Sequence, residues 1–412
     1  LSFIKNNTLW IKVMTAKISN LLKIKKSSAF VNELKTGHYY IFTGKPSIWS
    51  ANEDDPDFSI PVPLMDENTL KTELRELIGL KKITSDQVSL AIRRYDWSYG
   101  SIYDKYDAYD ENLLIKYFQT GSRPFYVMTD EYQVYKCLNN NFGAYSTVKP
   151  SNTSLLPFTT GDGYLWKYMF TVSEEQILNF LTPDFIPIKS NEDLILNSSQ
   201  YLIKQAAIPG TIDVVDITES GSGYVVDETS LLVASGSYSF AETGSGFDAQ
   251  VSVDYNTGEV TNISVINPGS HYSSDTVSLI SGDGSNASVT LQVSPFEGHG
   301  SNAAYELGAF YVLISVSLLT TGNDLAFFPL TQTYRKVGII TDFSEYNSEN
   351  QYSKEYYYGP SHESFLDESL RLSTPDQLMV EDKGTIIYLN NIAKVTRVSN
   401  QRETIKLSLT TF

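Results

Sequence analysis

Cysteine is almost missing from this chain. Cys137 stands alone among 412 residues, so no intrachain disulfide can form and no metal site can be built from thiolates. Histidine is scarce as well. His38, His271, His299 and His362 lie far apart, and none has the HExxH spacing of a zinc enzyme. Basic residues are outnumbered, 31 against 48 acidic, for a formal charge of −17. Phosphate neutralisation needs a basic face, so the balance argues against a protein whose main task is to hold nucleic acid. Long apolar runs are absent too. The stretch from Ala309 to Leu319 is about half the ~20 residues a membrane span needs, and it carries two serines. The lysines of residues 1–26 are spread through that stretch rather than gathered before one apolar core, so no secretion signal and no membrane partner are expected.

What is present points to β structure. Charged residues make up only 19%, whereas hydrophobic ones reach 41%, enough to bury real cores. Tyr (28) and Phe (20) are abundant alongside 25 glycines, a composition suited to strands joined by many turns. Single cores stop growing at roughly 250–300 residues, so two or three domains are expected.

Along the chain, Leu9, Trp10, Val13, Ile18, Leu21 and Leu22 lie among lysines at loose helical spacing, as in a terminal helix docked on its own domain, the alternative being a basic amphipathic helix that touches a membrane or an acidic partner. Ser28 to Lys35 reads as a short helix closed by Gly37, and His38–Phe42 as a strand. Leu70, Leu74, Leu77 and Ile78 share one helical face. Thr84 to Gln87 has capping-box spacing and predicts a second short helix running into Arg93-Arg94-Tyr95-Asp96-Trp97. Strands are expected at 125–129, 134–138 and 165–172, the last opened by Gly161-Asp162-Gly163-Tyr164, and a capped helix from Ser173.

Residues 206–294 change character: charge thins and Gly, Ser, Val and Ile dominate. An internal repeat is visible, with Ile212–Tyr224 matching Val260–Tyr272. Each copy is followed by an apolar stretch, 230–233 and 277–280, and then by an alternating strand. Two copies are too few for a solenoid, so an inserted two-unit β module is expected. Its glycines supply positive φ, and its tyrosines pack across the turn. Strands follow at 310–319 and 336–341, a polar loop at 342–365, a helix start at Thr374-Pro375 and two or three strands in 384–412.

No constellation carries chemistry. There is no GxSxG elbow. Gly44-Lys45 is followed by Pro46 and lacks the upstream glycine of a phosphate loop. Glu53-Asp54-Asp55 and Asp57 lack the alternating ligands of a calcium loop. His299, in Glu297-Gly298-His299-Gly300, has no Cys, His or Asp at ligand spacing and reads as a turn residue. No catalytic residue, cofactor or metal is expected, and the chain is not read as an enzyme.

Five stretches, in order, carry a resemblance. They are 42–63, with Trp49; Arg93-Arg94-Tyr95-Asp96-Trp97; Tyr126–Leu138; Gly161-Asp162-Gly163-Tyr164-Leu165-Trp166 with its continuation to Phe170; and the C-terminal third. Together they make the chain similar to the baseplate wedge subunit of contractile-tailed, T-even-like bacteriophages, the homodimeric protein of the outer wedge. The second stretch has a tyrosine inside an Arg-Arg-Asp-Trp type signature. Residues 206–300 have no counterpart in the shorter T-even type and resemble β repeats in baseplate and fibre proteins of larger myophages.

The resemblance implies a mainly β, multi-domain protein with sandwich-like domains, a few short helices and both termini in one domain. The corresponding split is 1–85 with 301–412, then 86–205, then the inserted module 206–300. It also implies a non-enzymatic scaffold of the virion tail baseplate, assembled in the host cytoplasm. Its partners would be a second copy, neighbouring wedge proteins and tail-fibre attachment proteins. Trp49, Trp97 and Trp166 are expected to anchor the fold, and Arg93 and Arg94 to tie a helix end to a loop or a partner carboxylate. The alternative is a receptor-binding tail-fibre protein that contacts host glycan.

Overall fold

The computed structural model describes residues 20–37, 39–44, 77–108, 110, 113, 123–225, 244–272, 284–295, 297–317, 336–341, 356–357, 386–388, 393–399 and 403–410. Trp49, His38, the apolar stretches at 230–233 and 277–280, and the helix start at Thr374 lie outside them.

The chain is mainly β. In order, its elements are α1 (Asn20–Thr36), β1 (Tyr39–Gly44), β2 (Leu77–Lys82), β3 (Val88–Arg93), β4 (Tyr126–Met128), β5 (Gln133–Asn139), β6 (Phe158–Thr159), β7 (Leu165–Thr171), α2 (Glu174–Asn179), β8 (Phe185–Ile188) and α3 (Ser199–Gln205). Then come β9 (Ile212–Ser222), β10 (Ser245–Val253), β11 (Val260–Ser270), β12 (Ser285–Val293), α4 (Ala303–Glu306), β13 (Tyr311–Ser317), β14 (Lys336–Thr341), β15 (Tyr356–Tyr357), β16 (Ile386–Tyr388), β17 (Ala393–Ser399) and β18 (Glu403–Thr410).

Three larger sheets result. One runs β15-β2-β1-β14-β16, a second β17-β18-β13-β3-β8 and a third β4-β5-β7-β6. Strand β13 lies inside the second sheet, between β18 and β3. It is buried from Tyr311 to Val316, which explains why its sequence is nearly continuously apolar rather than alternating. Helix α1 docks on this sheet. Ile24, Ser27, Val31 and Leu34 recur at helical spacing and are buried, and the Ser27 hydroxyl donates to the carbonyl of Phe310 at 3.1 Å. Leu34, Leu90, Ile92, Phe170, Ile186 and Val312 belong to one apolar core, which therefore reaches from the second sheet into the third.

Two helix expectations fail. Leu77, Ile78 and Leu80 lie in strand β2, hydrogen-bonded beside β1 with Leu80 opposite Phe42. A short apolar run fits either period, and pairing with the aromatic strand decides it. The capping box at Thr84 does form, with the Thr84 N–H donating to Gln87 Oε1 at 3.1 Å. It caps a single 3-10 turn, Ser85–Gln87, because Val88-Ser89-Leu90-Ala91-Ile92 then enters the second sheet as β3. The capping box at Ser173 starts α2 as expected.

The repeat is a structural one. Strand β9 pairs with β12, and β10 with β11, so the first strand of each copy pairs with the last strand of the other. The two registers agree pair by pair. Ala287 faces Ser220 where Phe247 faces Pro268, and both ladders slip at the same places, after Asp248 and Ser288 and after Ser252 and Gln292. Tyr224 and Tyr272 close equivalent corners. The Ala287 N–H donates to the Tyr224 hydroxyl, and the Phe247 N–H to that of Tyr272, both at 3.2 Å. Each ring fills the space over a glycine and joins the small core of Ile212, Val215, Val260, Ile263, Val289 and Val293.

Gly221 and Gly269 occupy matching left-handed positions (φ 64° and 60°). A Cβ there would lie 2.5 Å from the Ala287 nitrogen and 2.7 Å from the Phe247 nitrogen. Gly221→Ala and Gly269→Ala are each expected to destabilise the protein by more than about 1 kcal/mol, and by similar amounts. Gly161→Ala, with ordinary contacts only, should stay within about 0.5 kcal/mol. Urea unfolding midpoints of the three variants check this.

Candidate functional site

After β3 the chain leaves the second sheet and crosses to the third. The crossing is the segment Arg93-Arg94-Tyr95-Asp96-Trp97, which is extended and not a helix end. Met128 N–H donates to Tyr95 O at 2.7 Å and Trp97 N–H to Met128 O at 2.9 Å, stitching the segment along β4. Each side chain ties a different neighbour. Arg93 Nε donates to the Tyr311 hydroxyl at 3.2 Å. Arg94 Nε meets Asp96 Oδ1 at 2.8 Å, and its Nη1 donates to the carbonyl of Thr182 at 3.2 Å. Trp97 Nε1 donates to Ser146 Oγ at 3.1 Å.

Arg94, Asp96, Trp97, Thr129, Tyr132 and Lys149 line an open groove of about 630 Å³. Lys149 reaches Asp130 and Glu131, each at 2.6 Å. These hydrogen bonds raise the lysine pKa and lower that of Asp130. Tyr132, at the turn between β4 and β5, is left-handed (φ 59°), a conformation that a bulky residue rarely adopts.

The second motif meets the first. Asp162 Oδ2 accepts from the backbone of Thr147 (2.7 Å) and Val148 (2.9 Å) and from Ser146 Oγ (3.2 Å). Ser146 therefore links Trp97 to Asp162. Partial burial opposes ionisation of Asp162, but hydrogen bonds led by Thr160, Val148 and Thr147 outweigh it and lower the pKa. Gly161 and Gly163 form the turn before β7. Tyr164 stacks on Trp166 (5.5 Å, 16° between planes), and Tyr103 meets both edge-on. Trp166 is fully buried opposite Cys137. Burial pushes the Cys137 thiol well above its usual range, which disfavours the thiolate.

The sequence did not reveal a third cluster. His299 does sit in a turn, but it is buried and meets ionic partners from distant segments. Its Nε2 lies 3.0 Å from Asp213 Oδ2 on β9, and its Nδ1 lies 2.8 Å from Lys136 Nζ on β5. Lys136 also pairs with Glu306 of α4 and lies 3.9 Å from the centre of the Tyr106 ring. Glu306 in turn accepts from the Gly300 N–H at 2.8 Å. An ammonium cannot accept, so Nδ1 of His299 accepts a hydrogen bond from Lys136 Nζ and Nε2–H donates to Asp213, which fixes a neutral tautomer. Burial lowers the His299 pKa, and the Lys136 charge adds to this. Burial also opposes the charge on Asp213, but His299 holds its pKa below the usual range. Lys167, opposite Lys136 in the ladder, is brought down to about 8 by burial and by the Lys136 charge. One signal was available. Lys136 interrupts the apolar strand Val134-Tyr135-Lys136-Cys137-Leu138, where a charge needs a buried partner.

Among the described residues, no cluster of His, Cys, Asp and Glu could hold a metal ion. Asp213 and Glu306 are committed to His299 and Lys136.

No family model matches the chain. It is 22% identical over 214 residues to baseplate wedge protein gp8 of Enterobacteria phage T4, an alignment covering 44% of this chain and 63% of that protein. The chain thus spans less than two thirds of that relative's length.

Lys136→Met removes the buried ammonium that pairs with Glu306 and is expected to destabilise by about 3–5 kcal/mol. Arg94→Ala removes a more exposed pair and should cost no more than about 1 kcal/mol. Urea unfolding at neutral pH compares the two. Asp162 has a lowered folded pKa, so its stabilisation is present above the unfolded value of ~3.9 and is lost as pH falls through the folded one. Asp162→Asn is expected to flatten the stability profile in that acidic window.

Proposed function

We propose that this chain is a structural subunit of a phage tail baseplate, working as a wedge component in a contractile tail. The similarity to baseplate wedge protein gp8 carries the reading. The groups described above agree with it, since they join sheets and cap turns and leave a groove suited to a protein neighbour. Arginine and tryptophan beside that groove are residue types enriched at interface anchors.

In this reading the protein is a homodimer that holds neighbouring wedge proteins and tail-fibre attachment proteins during assembly and host attachment. It catalyses nothing, binds no cofactor and resides in the virion tail. Residues 1–85 with 301–412 build a terminal unit, 86–205 a central unit and 206–300 an inserted module. Strands β3, β8 and β13 join the first two units through one sheet.

Light scattering on the purified chain as it elutes from a sizing column tests the dimer. A mass of two chains is expected. A mass of three would overturn it in favour of a trimeric fibre protein, and glycan binding would then be the property to measure.

A further inference from the structure

The buried cluster lies where the 206–300 module leaves and rejoins the rest of the chain. Asp213 is on the first module strand, and His299 is on the loop that returns from the last. That root is tied to itself. Ser294 N–H donates to Thr211 O at 2.8 Å, Thr211 N–H to Ser294 Oγ at 2.9 Å and Tyr272 N–H to Gly210 O at 2.9 Å. The root therefore moves with the module. It is held to the rest of the chain through Lys136 of β5, through Glu306 of α4, which takes the Gly300 N–H at 2.8 Å, and, nearer the surface, through the Lys105–Asp216 pair at 2.7 Å. Gly298 and Gly300 flank His299, both with positive φ (92° and 87°).

We propose that this cluster is an acid-released latch: protonating His299 frees the module root from strand β5. The proton has one place to go. Nε2 already carries hydrogen toward Asp213, so the added proton must take Nδ1, where the Lys136 ammonium sits 2.8 Å away. The contact then changes from a hydrogen bond into two buried positive charges. His299 and Asp213 leave together as an ion pair and the Gly300 N–H parts from Glu306, which stays with Lys136.

The groups facing His299 come from four places: Lys136 on β5, Asp213 on β9, Glu306 on α4 and the Tyr106 ring, 5.8 Å from the imidazole. Lys167 on β7 adds a second positive charge in the same interior. The carboxylates of Asp213 and Glu306 favour the proton, whereas burial and Lys136 oppose it. The sign follows. The latched state holds His299 neutral, while the released state lets it titrate near the usual ~6.5. The latch is at full strength above that pH and weakens as pH falls below it, by up to about tenfold in equilibrium constant per pH unit. Carboxylate protonation enters only near pH ~4, so the window between separates the two causes.

Hydrogen exchange of the full chain, corrected for the intrinsic pH dependence of amide exchange, tests the latch. The expected result is constant protection of the Gly300 amide, whose hydrogen crosses from the root to Glu306, above pH about 6.5. It should then fall by up to about tenfold per unit down to about 4.5, while β13 stays protected. His299→Gln should remove that slope, and His271→Gln should keep it. A flat profile, a slope that survives His299→Gln, or loss of β13 protection in parallel overturns the latch. If His299→Gln does not fold, the wild-type imidazole spectrum decides. His299 should be the Nε2–H tautomer at pH 7, titrating below the ordinary midpoint and together with the loss of Gly300 protection. The opposite tautomer, or an ordinary midpoint, overturns the proposal.

Discussion

The Lys136 ammonium is the constraint around which the rest of the structure is arranged. It has no access to water, and its three N–H donors find a carboxylate on α4, an imidazole on the return loop and the face of Tyr106. Moving an ammonium into a protein interior costs several kcal/mol even after relaxation, and only partners in good geometry offset that. Each partner comes from a different segment, so all three must arrive together. The cluster adds little to stability compared with an apolar core of the same volume. What it enforces is position. It determines which end of the module faces β5, which tautomer His299 adopts and how α4 sits against the third sheet.

The module obeys a similar all-or-none logic through its backbone. Each copy of the repeat gives its first strand to the last strand of the other, so neither copy has a complete hairpin of its own. A single copy would expose both faces and edges of two long strands, and isolated two-stranded ribbons are marginal in water. The duplication and the exchange are therefore one device. Two copies suffice where a solenoid would need more, because they close on each other instead of stacking onward. Matching tyrosines at the two corners hold the closure.

Much of this was legible in the sequence because it is local. The capping boxes at Thr84 and Ser173, the strands on either side of Asp130 and the repeat boundaries all rest on residues within a few positions of one another. What was not legible depends on pairing. Nothing in Leu77–Leu80 distinguishes a strand from a helix until β1 lies beside it. Nothing near His299 announces Lys136 or Asp213, because their meeting depends on the register of β5 against β7 and on where β9 begins. Tyr224 and Tyr272 fell between these cases. Their neighbouring glycines marked a turn, and the expectation that the rings pack across it holds.

Two stretches of the sequence resemblance converge on Ser146, which accepts from Trp97 and donates to Asp162. Trp97 ends the crossing between sheets, and Asp162 pins the turn that starts β7. Arg93, at the other end of the crossing, holds Tyr311 of β13. Arg93, Trp97 and Asp162 are thus joints between sheets and turns. Joints tolerate little change, since each side chain there satisfies a buried or half-buried partner. Exposed side chains such as Tyr99 (75% accessible) and Phe142 (83%) can change without disturbing any of them. At 22% identity, similarity to a wedge protein is therefore expected to survive in the way the sheets are joined. The surfaces that choose partners can differ between the two proteins, and residues 206–300 are the largest block the resemblance leaves out.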